Sequence, residues 1–220
     1  MEPQVIYEDR EILVCRKPAG VAVESARIGE MDLVSVLRNY LADGKGIPYL
    51  GVVHRLDQPV QGVMVFAKTK GSAAKLSAQA ADGRMKKIYW ALAEGEPSEE
   101  EGHLVNWLLK DGRTNMSRIV MEGTKGAKRA ELNYRVLEQR EGCALLEVEL
   151  LTGRHHQIRV QMAGAGMPLV GDRKYGKEKA QGAEHVALWA VKLEFTHPGS
   201  GKRMRFEWRP EEVGELRGVE

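Results

Sequence analysis

Cysteine is scarce: the 220-residue chain has two, Cys15 and Cys143, far apart and without the paired spacing of zinc ligands. That argues against both a disulfide framework and a zinc site, and points to a reducing cytoplasm. Long apolar runs are missing as well. None approaches the roughly 18 residues that would suggest a membrane span. The opening segment, Met1 to Glu8, is polar and acidic, which is not the pattern of a secretory leader. There is no large excess of charge of one sign, the formal net charge being +2. Such a balance is compatible with a nucleic-acid partner without predicting one, because local clustering matters more than the total. Internal repeats and low-complexity stretches are also lacking. The remaining composition is that of a soluble chain able to bury a core, long enough for one large domain or two small ones.

Several segments carry a clear local pattern. Glu11 to Cys15 reads as a buried strand, closed by the turn chemistry of Arg16-Lys17-Pro18-Ala19-Gly20. Met31 to Leu41 places Leu33, Val36, Leu37, Tyr40 and Leu41 on one helical face, with Asp32 suited to cap it. Leu50 to Val53 and Val63 to Ala67 read as strands on either side of His54 to Gly62. Ser72 to Ala81 has helical periodicity, and Ile88 to Leu92 reads as a strand. Further on, Glu131 to Leu137 and Cys143 to Leu151 read as strands joined by a turn at Glu141-Gly142. Ile158 to Ala163 reads as a helix opened by His155 to Arg159. Lys192 to Phe195 and Met204 to Trp208 bracket the turn at His197 to Lys202, a hairpin in which Phe206 and Trp208 are expected in the core. Many strands, few helices and little βαβ alternation argue for an α+β fold. The chain is read as a single domain, 1–220, with Gly95 to Glu101 as its best internal seam.

Two segments concentrate polar chemistry. His54-Arg55-Leu56-Asp57 ends an apolar strand, where a rigid element can aim a polar group. On its own, the simpler reading is a surface ion pair beside a turn. Thr152 to Arg159 packs two arginines, two histidines and a glutamine between apolar flanks. Polar groups set so densely among core segments need partners, since each left buried and unpaired costs roughly 1–3 kcal/mol. An arginine from this segment meeting Asp57 would satisfy both. For at least one of His155 and His156, hydrogen bonding to backbone is the simpler role. Metal ligation is not expected, because adjacent helical histidines diverge and no carboxylate or cysteine stands at ligand spacing.

Taken together, these segments resemble the RluA-type RNA pseudouridine synthases. His-Arg-Leu-Asp followed by a glycine, an apolar strand and Ala-Lys is met by His54 to Asp57, Gly62, Val63 to Phe66 and Ala67-Lys68. Gly-Arg-x-His-Gln-Ile-Arg is met by Gly153 to Arg159, and Gly-Asp-x-x-Tyr-Gly by Gly171 to Gly176. Lys-x-Tyr is met by Lys87 to Tyr89, and Lys-Pro-Ala-Gly by Lys17 to Gly20. Any one motif is weak; five in family order are specific. The resemblance covers the catalytic domain, without the S4-like N-terminal RNA-binding domain of many relatives. It implies a pseudouridine synthase fold: a bent, mostly antiparallel mixed sheet with flanking helices and a central RNA-binding cleft. It also implies isomerisation of specific uridines in structured RNA, ribosomal or transfer, by a monomer without metal or other cofactor.

Carried over residue by residue, the resemblance makes Asp57 the catalytic aspartate, Tyr89 the aromatic residue beside the target uracil, and Arg159 the basic partner of the aspartate. Arg55 is the arginine expected to fill the space of a flipped nucleotide. His54, Arg154, His156, Gln157 and Lys87 are expected at the RNA or in support of the site. Further RNA contacts are expected from basic clusters at Arg84 to Lys87, Lys125 to Arg129, Arg173 to Lys179 and Lys202 to Arg209. Two departures stand out. Val60-Gln61 replaces the family's Thr-Ser before Gly62, and Trp189 replaces the histidine of Leu-His-Ala. They leave one rival of a different class, an RNA-binding or ribosome-assembly protein that kept the fold without catalysis; a nucleoside hydrolase on a similar scaffold is a more distant one.

Overall fold

The structure, a computed structural model, describes residues 1–25, 29–44, 46–140, 142–176, 185–211 and 213. The chain divides into two compact units: residues 1–86 with 189–220, and residues 87–188. The boundaries fall at the first residues of two strands, and the Gly95 to Glu101 segment lies inside the second unit.

The first unit is built on a mixed sheet. Strand β2 (Ile12–Lys17) pairs antiparallel with β1 (Gln4–Glu8) on one side and with β4 (Gln61–Ala67) on the other. The short β3 (Gly51–Val52) also pairs with β4. On its other edge β4 runs parallel to β10 (Leu188–Thr196), which forms the expected hairpin with β11 (Arg203–Glu207). The continuous apolar run of β4 fits a strand covered on both faces. Its core gathers Ile12, Val14, Val63, Val65, Leu76, Leu193 and Phe195, with Phe206 and Trp208 packed against it. Two helices complete the unit. Helix α1 (Leu33–Leu41) is capped as expected by Asp32, which accepts from the Ser35 N–H at 2.7 Å. Helix α2 (Lys70–Ala81) is capped by Thr69 and starts two residues earlier than its periodicity predicts.

The second unit is an antiparallel sheet in the order β5 (Lys86–Glu94), β9 (Cys143–Leu150), β8 (Lys128–Arg140), β6 (Glu101–Asp111), β7 (Met116–Val120). Strands β6 and β7 fall where no element is expected from the sequence. Helix α3 (Gln157–Gly164) supplies Val160 to a core with Leu108 and Ala130. It starts at Gln157, inside the expected opening segment His155 to Arg159. His156 occupies its N-cap in the left-handed region, with φ 54° and ψ 27°, so both histidines lie before the helix. Of the expected turn at Glu141-Gly142, Glu141 lies outside the described residues, as do residues 177–179 of the basic cluster Arg173 to Lys179.

Candidate functional site

In the first unit, Asp57 sits half-buried in the loop between β3 and β4. The loop closes on itself through the Val60 N–H, which donates to the Asp57 carbonyl at 3.0 Å. A second brace comes from the turn after β2. Lys17 is fully buried, and its ammonium donates to the carbonyls of Pro18 (2.8 Å), Val21 (2.7 Å) and Gln58 (3.0 Å). The Gly20 N–H also donates to the Gln58 carbonyl, and the Gln58 side-chain amide returns a bond to the Gly20 carbonyl. The Lys-Pro-Ala-Gly turn and the aspartate loop are thus laced together one residue past Asp57. Burial pushes the Lys17 pKa down to about 7, while the Asp57 carboxylate opposes that fall. Three carbonyls facing three N–H donors fit the charged ammonium, since a neutral amine would leave one oxygen unserved.

The neighbours of Asp57 divide by role. His54 turns its Nε2 to the Val65 N–H of β4 at 3.1 Å, fixing the start of the loop to the sheet. Arg55 points outward, with a side chain 72% exposed, and pairs with Glu24 at 2.9 Å. Leu56 and Val60 are buried on either side of Asp57. Gly62 has φ 138°, and a Cβ there would lie 2.3 Å from the Ala190 carbonyl oxygen of β10. The parallel pairing of β4 with β10 therefore requires glycine. The same register sets Gln61 opposite Trp189, so the two departures from the family pattern are neighbours across one strand pair.

In the second unit, Tyr89 is 6% exposed on β5 and pairs in register with Val148. Arg159 forks onto Asp172: Nε to Oδ2 and Nη2 to Oδ1, both 2.7 Å, with side chains 5% and 0% exposed. Asp172 also accepts from the backbone N–H groups of Lys174 and Tyr175. The Tyr175 ring lies 5.3 Å from the Arg159 guanidinium, a cation–π contact. Its hydroxyl accepts from the Ser117 N–H at 2.7 Å and hydrogen-bonds His156 Nδ1 at 2.8 Å. A neutral ring can accept the Tyr175 hydroxyl proton at Nδ1. Burial, followed by the Arg159 charge, pushes the His156 pKa down to about 2. His155 is lowered to about 4 by burial and by Lys110.

The two histidine rings do not diverge as expected of a helix. The left-handed His156 backbone stacks them at 3.8 Å with 25° between their planes. His155 meets the Ser117 hydroxyl at 2.9 Å and the Asn115 side chain at 3.1 Å, so both rings find side-chain partners. Among the described residues no group of three or more histidines, cysteines or acids is placed to hold a metal ion. Gln157 is buried and closes a local network: its amide donates to the Glu131 carbonyl, and its oxygen accepts from Thr152 and from the Arg154 N–H. Arg154 is exposed, with its Nε on the Arg129 carbonyl at 2.9 Å. Lys87 is buried beside it, its pKa lowered by burial and then by the Arg154 charge.

Asp172, Tyr175, Ser117 and Lys17 are the partners to which sequence reasoning gave no role. Three of them lay inside recognised motifs, the only signal that could have marked them; Ser117 carried none. Within the basic clusters, four arginines, Arg84, Arg129, Arg203 and Arg205, stand in ion pairs. Arg84 binds Asp82, Arg129 binds Glu131, and the β10–β11 hairpin carries a ladder of Lys192, Arg203 and Arg205 on Glu194 and Glu207.

Comparison with known proteins settles the family. The RNA pseudouridylate synthase family model matches residues 11–164. The chain belongs to this family. It is 36% identical over 221 residues to ribosomal large subunit pseudouridine synthase D of Zymomonas mobilis, covering 93% of this chain and 68% of that one. It is 35% identical over 222 residues to the uncharacterized RNA pseudouridine synthase YlyB of Bacillus subtilis, covering 98% and 72%. The human RNA pseudouridylate synthase domain containing 4 shares the fold, with a TM-score of 0.80 at 23% identity over 97% of this chain and 92% of that one. The protein is accordingly an RNA pseudouridine synthase, an isomerase acting on RNA. No helix among the described residues is long and apolar enough to cross a membrane.

Proposed function

We propose that the protein converts specific uridines of ribosomal RNA to pseudouridine, with Asp57 as the catalytic carboxylate. Tyr89 is the aromatic wall for the uracil and Arg159 the basic residue of the site. Arg55 fills the space left by the extruded nucleotide, and His54, Lys87, Arg154, His156 and Gln157 position loops or RNA. The enzyme acts as a monomer in the cytoplasm and needs no cofactor. The ribosomal substrate is supported by the relative named ribosomal large subunit pseudouridine synthase D.

One observation carries the role of Asp57: the buried Lys17 ammonium braces its loop through the Gln58 carbonyl, while the Asp57 charge favours the ionised form of Lys17. An ionised carboxylate on a fixed loop is what a nucleophile or general base requires. The reaction detaches the base at its C–N bond, turns it, and rejoins it to the same sugar through carbon 5. Hydrogen leaves that carbon as a proton, so the isomerisation is redox-neutral. A stacked uridine must first be extruded, at a cost of a few kcal/mol, least where the RNA is already unpaired.

The test is tritium release from unmodified ribosomal RNA carrying uridine labelled at carbon 5. Wild type is expected to release tritium, and Asp57→Asn to release none while binding RNA within a few-fold of wild type. Release by Asp57→Asn at the wild-type rate would remove Asp57 from the chemistry. No release by wild type from ribosomal RNA, with release from transfer RNA, would move the substrate and keep the reaction.

A further inference from the structure

Lys87 precedes Tyr89 by two residues on β5, so the two side chains leave the same face of the strand. The residue is 9% exposed, and no hydrogen bond or ion pair to a described residue engages its ammonium. The charge that acts on it is Arg154, of the same sign. Gly153 lies against it, where a Cβ would stand 3.5 Å from Nζ. Arg154 is held in place at both ends, its backbone N–H on Gln157 Oε1 and its Nε on the Arg129 carbonyl, both at 2.9 Å. Among the described residues no hydrogen bond or ion pair engages its Nη groups. A largely buried lysine side chain beside an anchored arginine sets two like charges together, an arrangement that an anion joining both would relieve.

We propose that Lys87 and Arg154 form a phosphate clamp, holding the phosphodiester of the nucleotide whose base stacks on Tyr89. The inference rests on the proposed role of Tyr89 and extends it from the base to the backbone. Residues two apart on a strand are separated by roughly 6.6 Å, comparable to the reach from a nucleobase to its own phosphate. RNA brings one anion per nucleotide, whereas a uracil carbonyl is neutral and would leave two cations uncompensated. Arginine supplies a planar fork and lysine a compact point charge, a pairing suited to one phosphate approached from two sides. The clamp would fix the sugar while the base is turned, the step in which a detached base is most easily lost.

The experiment is filter binding of transcribed, unmodified large-subunit ribosomal RNA across a potassium chloride series, with tritium release measured on the same samples. Lys87→Met and Arg154→Met are each expected to weaken binding about tenfold and to flatten the log–log salt dependence by about one phosphate contact. Lys87→Arg is expected to keep the wild-type slope. If Lys87→Met does not fold, the exposed Arg154→Met carries the test alone. Wild-type slopes in the methionine variants, with wild-type enzyme releasing tritium, overturn the clamp and leave the proposed function standing. Absence of wild-type release overturns that function, and the clamp falls with it.

Discussion

The two units brace their polar residues in opposite ways. In the first, a single buried lysine reaches three backbone carbonyls, and so fixes a loop. In the second, Arg159, Asp172, Tyr175 and His156 bind one another through side chains, with the Ser117 N–H on the Tyr175 hydroxyl, and so fix a guanidinium. The contrast follows from the two cations. A lysine head is a compact charge with three rotatable donors, which can plug a ring of carbonyls of almost any arrangement. A guanidinium is a planar fork matched to a carboxylate, and loses its advantage when either partner is reshaped. The lysine brace should therefore tolerate changes of neighbouring side chains, and the arginine brace should not.

The largest effect is expected at Asp172. Asp172→Ala leaves Arg159 buried without its counter-charge, and breaking a buried pair from one side costs about 3–5 kcal/mol. Urea unfolding would measure it. Arg159→Lys should not restore the loss, because an ammonium cannot make both 2.7 Å bonds of the fork. Full stability in Arg159→Lys would mean that charge alone, and not the fork, holds the site.

Next in size is the lysine brace. Lys17→Met keeps the volume and strands the Pro18 and Val21 carbonyls, leaving that of Gln58 to the Gly20 N–H alone, for a loss of about 1–3 kcal/mol per stranded oxygen that water does not reach. It also removes the ammonium's hold on the Gln58 carbonyl, so the turnover number should fall beyond what the lost stability explains. Tritium release under saturating RNA, at a temperature where the variant is folded, separates the two. An unchanged turnover number would limit Lys17 to stability.

How much of this was legible in the sequence also differs between the units. The first unit announced itself: β2 and β4 are apolar runs, α1 carries its Asp32 cap, and the β10–β11 turn is rich in Pro and Gly. The parallel pairing at Gly62 was not legible, although it explains why glycine stays while its two neighbours depart from the family. In the second unit, β6 and β7 escaped because their faces stay partly exposed and mix charge with apolar residues, as in Glu101-Gly-His-Leu-Val-Asn. Their register comes from β8, beyond the reach of a local window. The motifs marked Asp57, Tyr89 and Arg159, but not what braces them. Backbone carbonyls leave no trace in residue types, so the Lys17 contact with residue 58 is invisible. Asp172 stood in a recognised motif thirteen positions from Arg159, yet only the fold could say that these two meet. The stacked histidines failed for a smaller reason, the left-handed backbone of one residue.

That residue supplies the smallest and most discriminating prediction. His156 is neutral in the folded state, its pKa depressed to about 2, whereas in the unfolded chain it titrates near 6.5. Between those values the unfolded state binds the extra proton, so stability rises with pH through the window and the His156 contribution is complete only above about pH 6.5. Lowering the pH from 7.5 to 5.5 should therefore cost wild type about 1 kcal/mol more than it costs His156→Gln, whose amide cannot titrate. Paired urea titrations at the two pH values measure the difference. His155, lowered to about 4, adds a loss of the same sign in both proteins and largely cancels from the comparison. An equal loss in wild type and variant would mean that His156 accepts a proton in the folded state. The Tyr175 hydroxyl would then have to receive from both the histidine and the Ser117 N–H, turning its own proton elsewhere. The side-chain brace around Arg159 would have gained a like charge beside its guanidinium, and its claim to depend on matched partners would fail at the one residue where pH can test it.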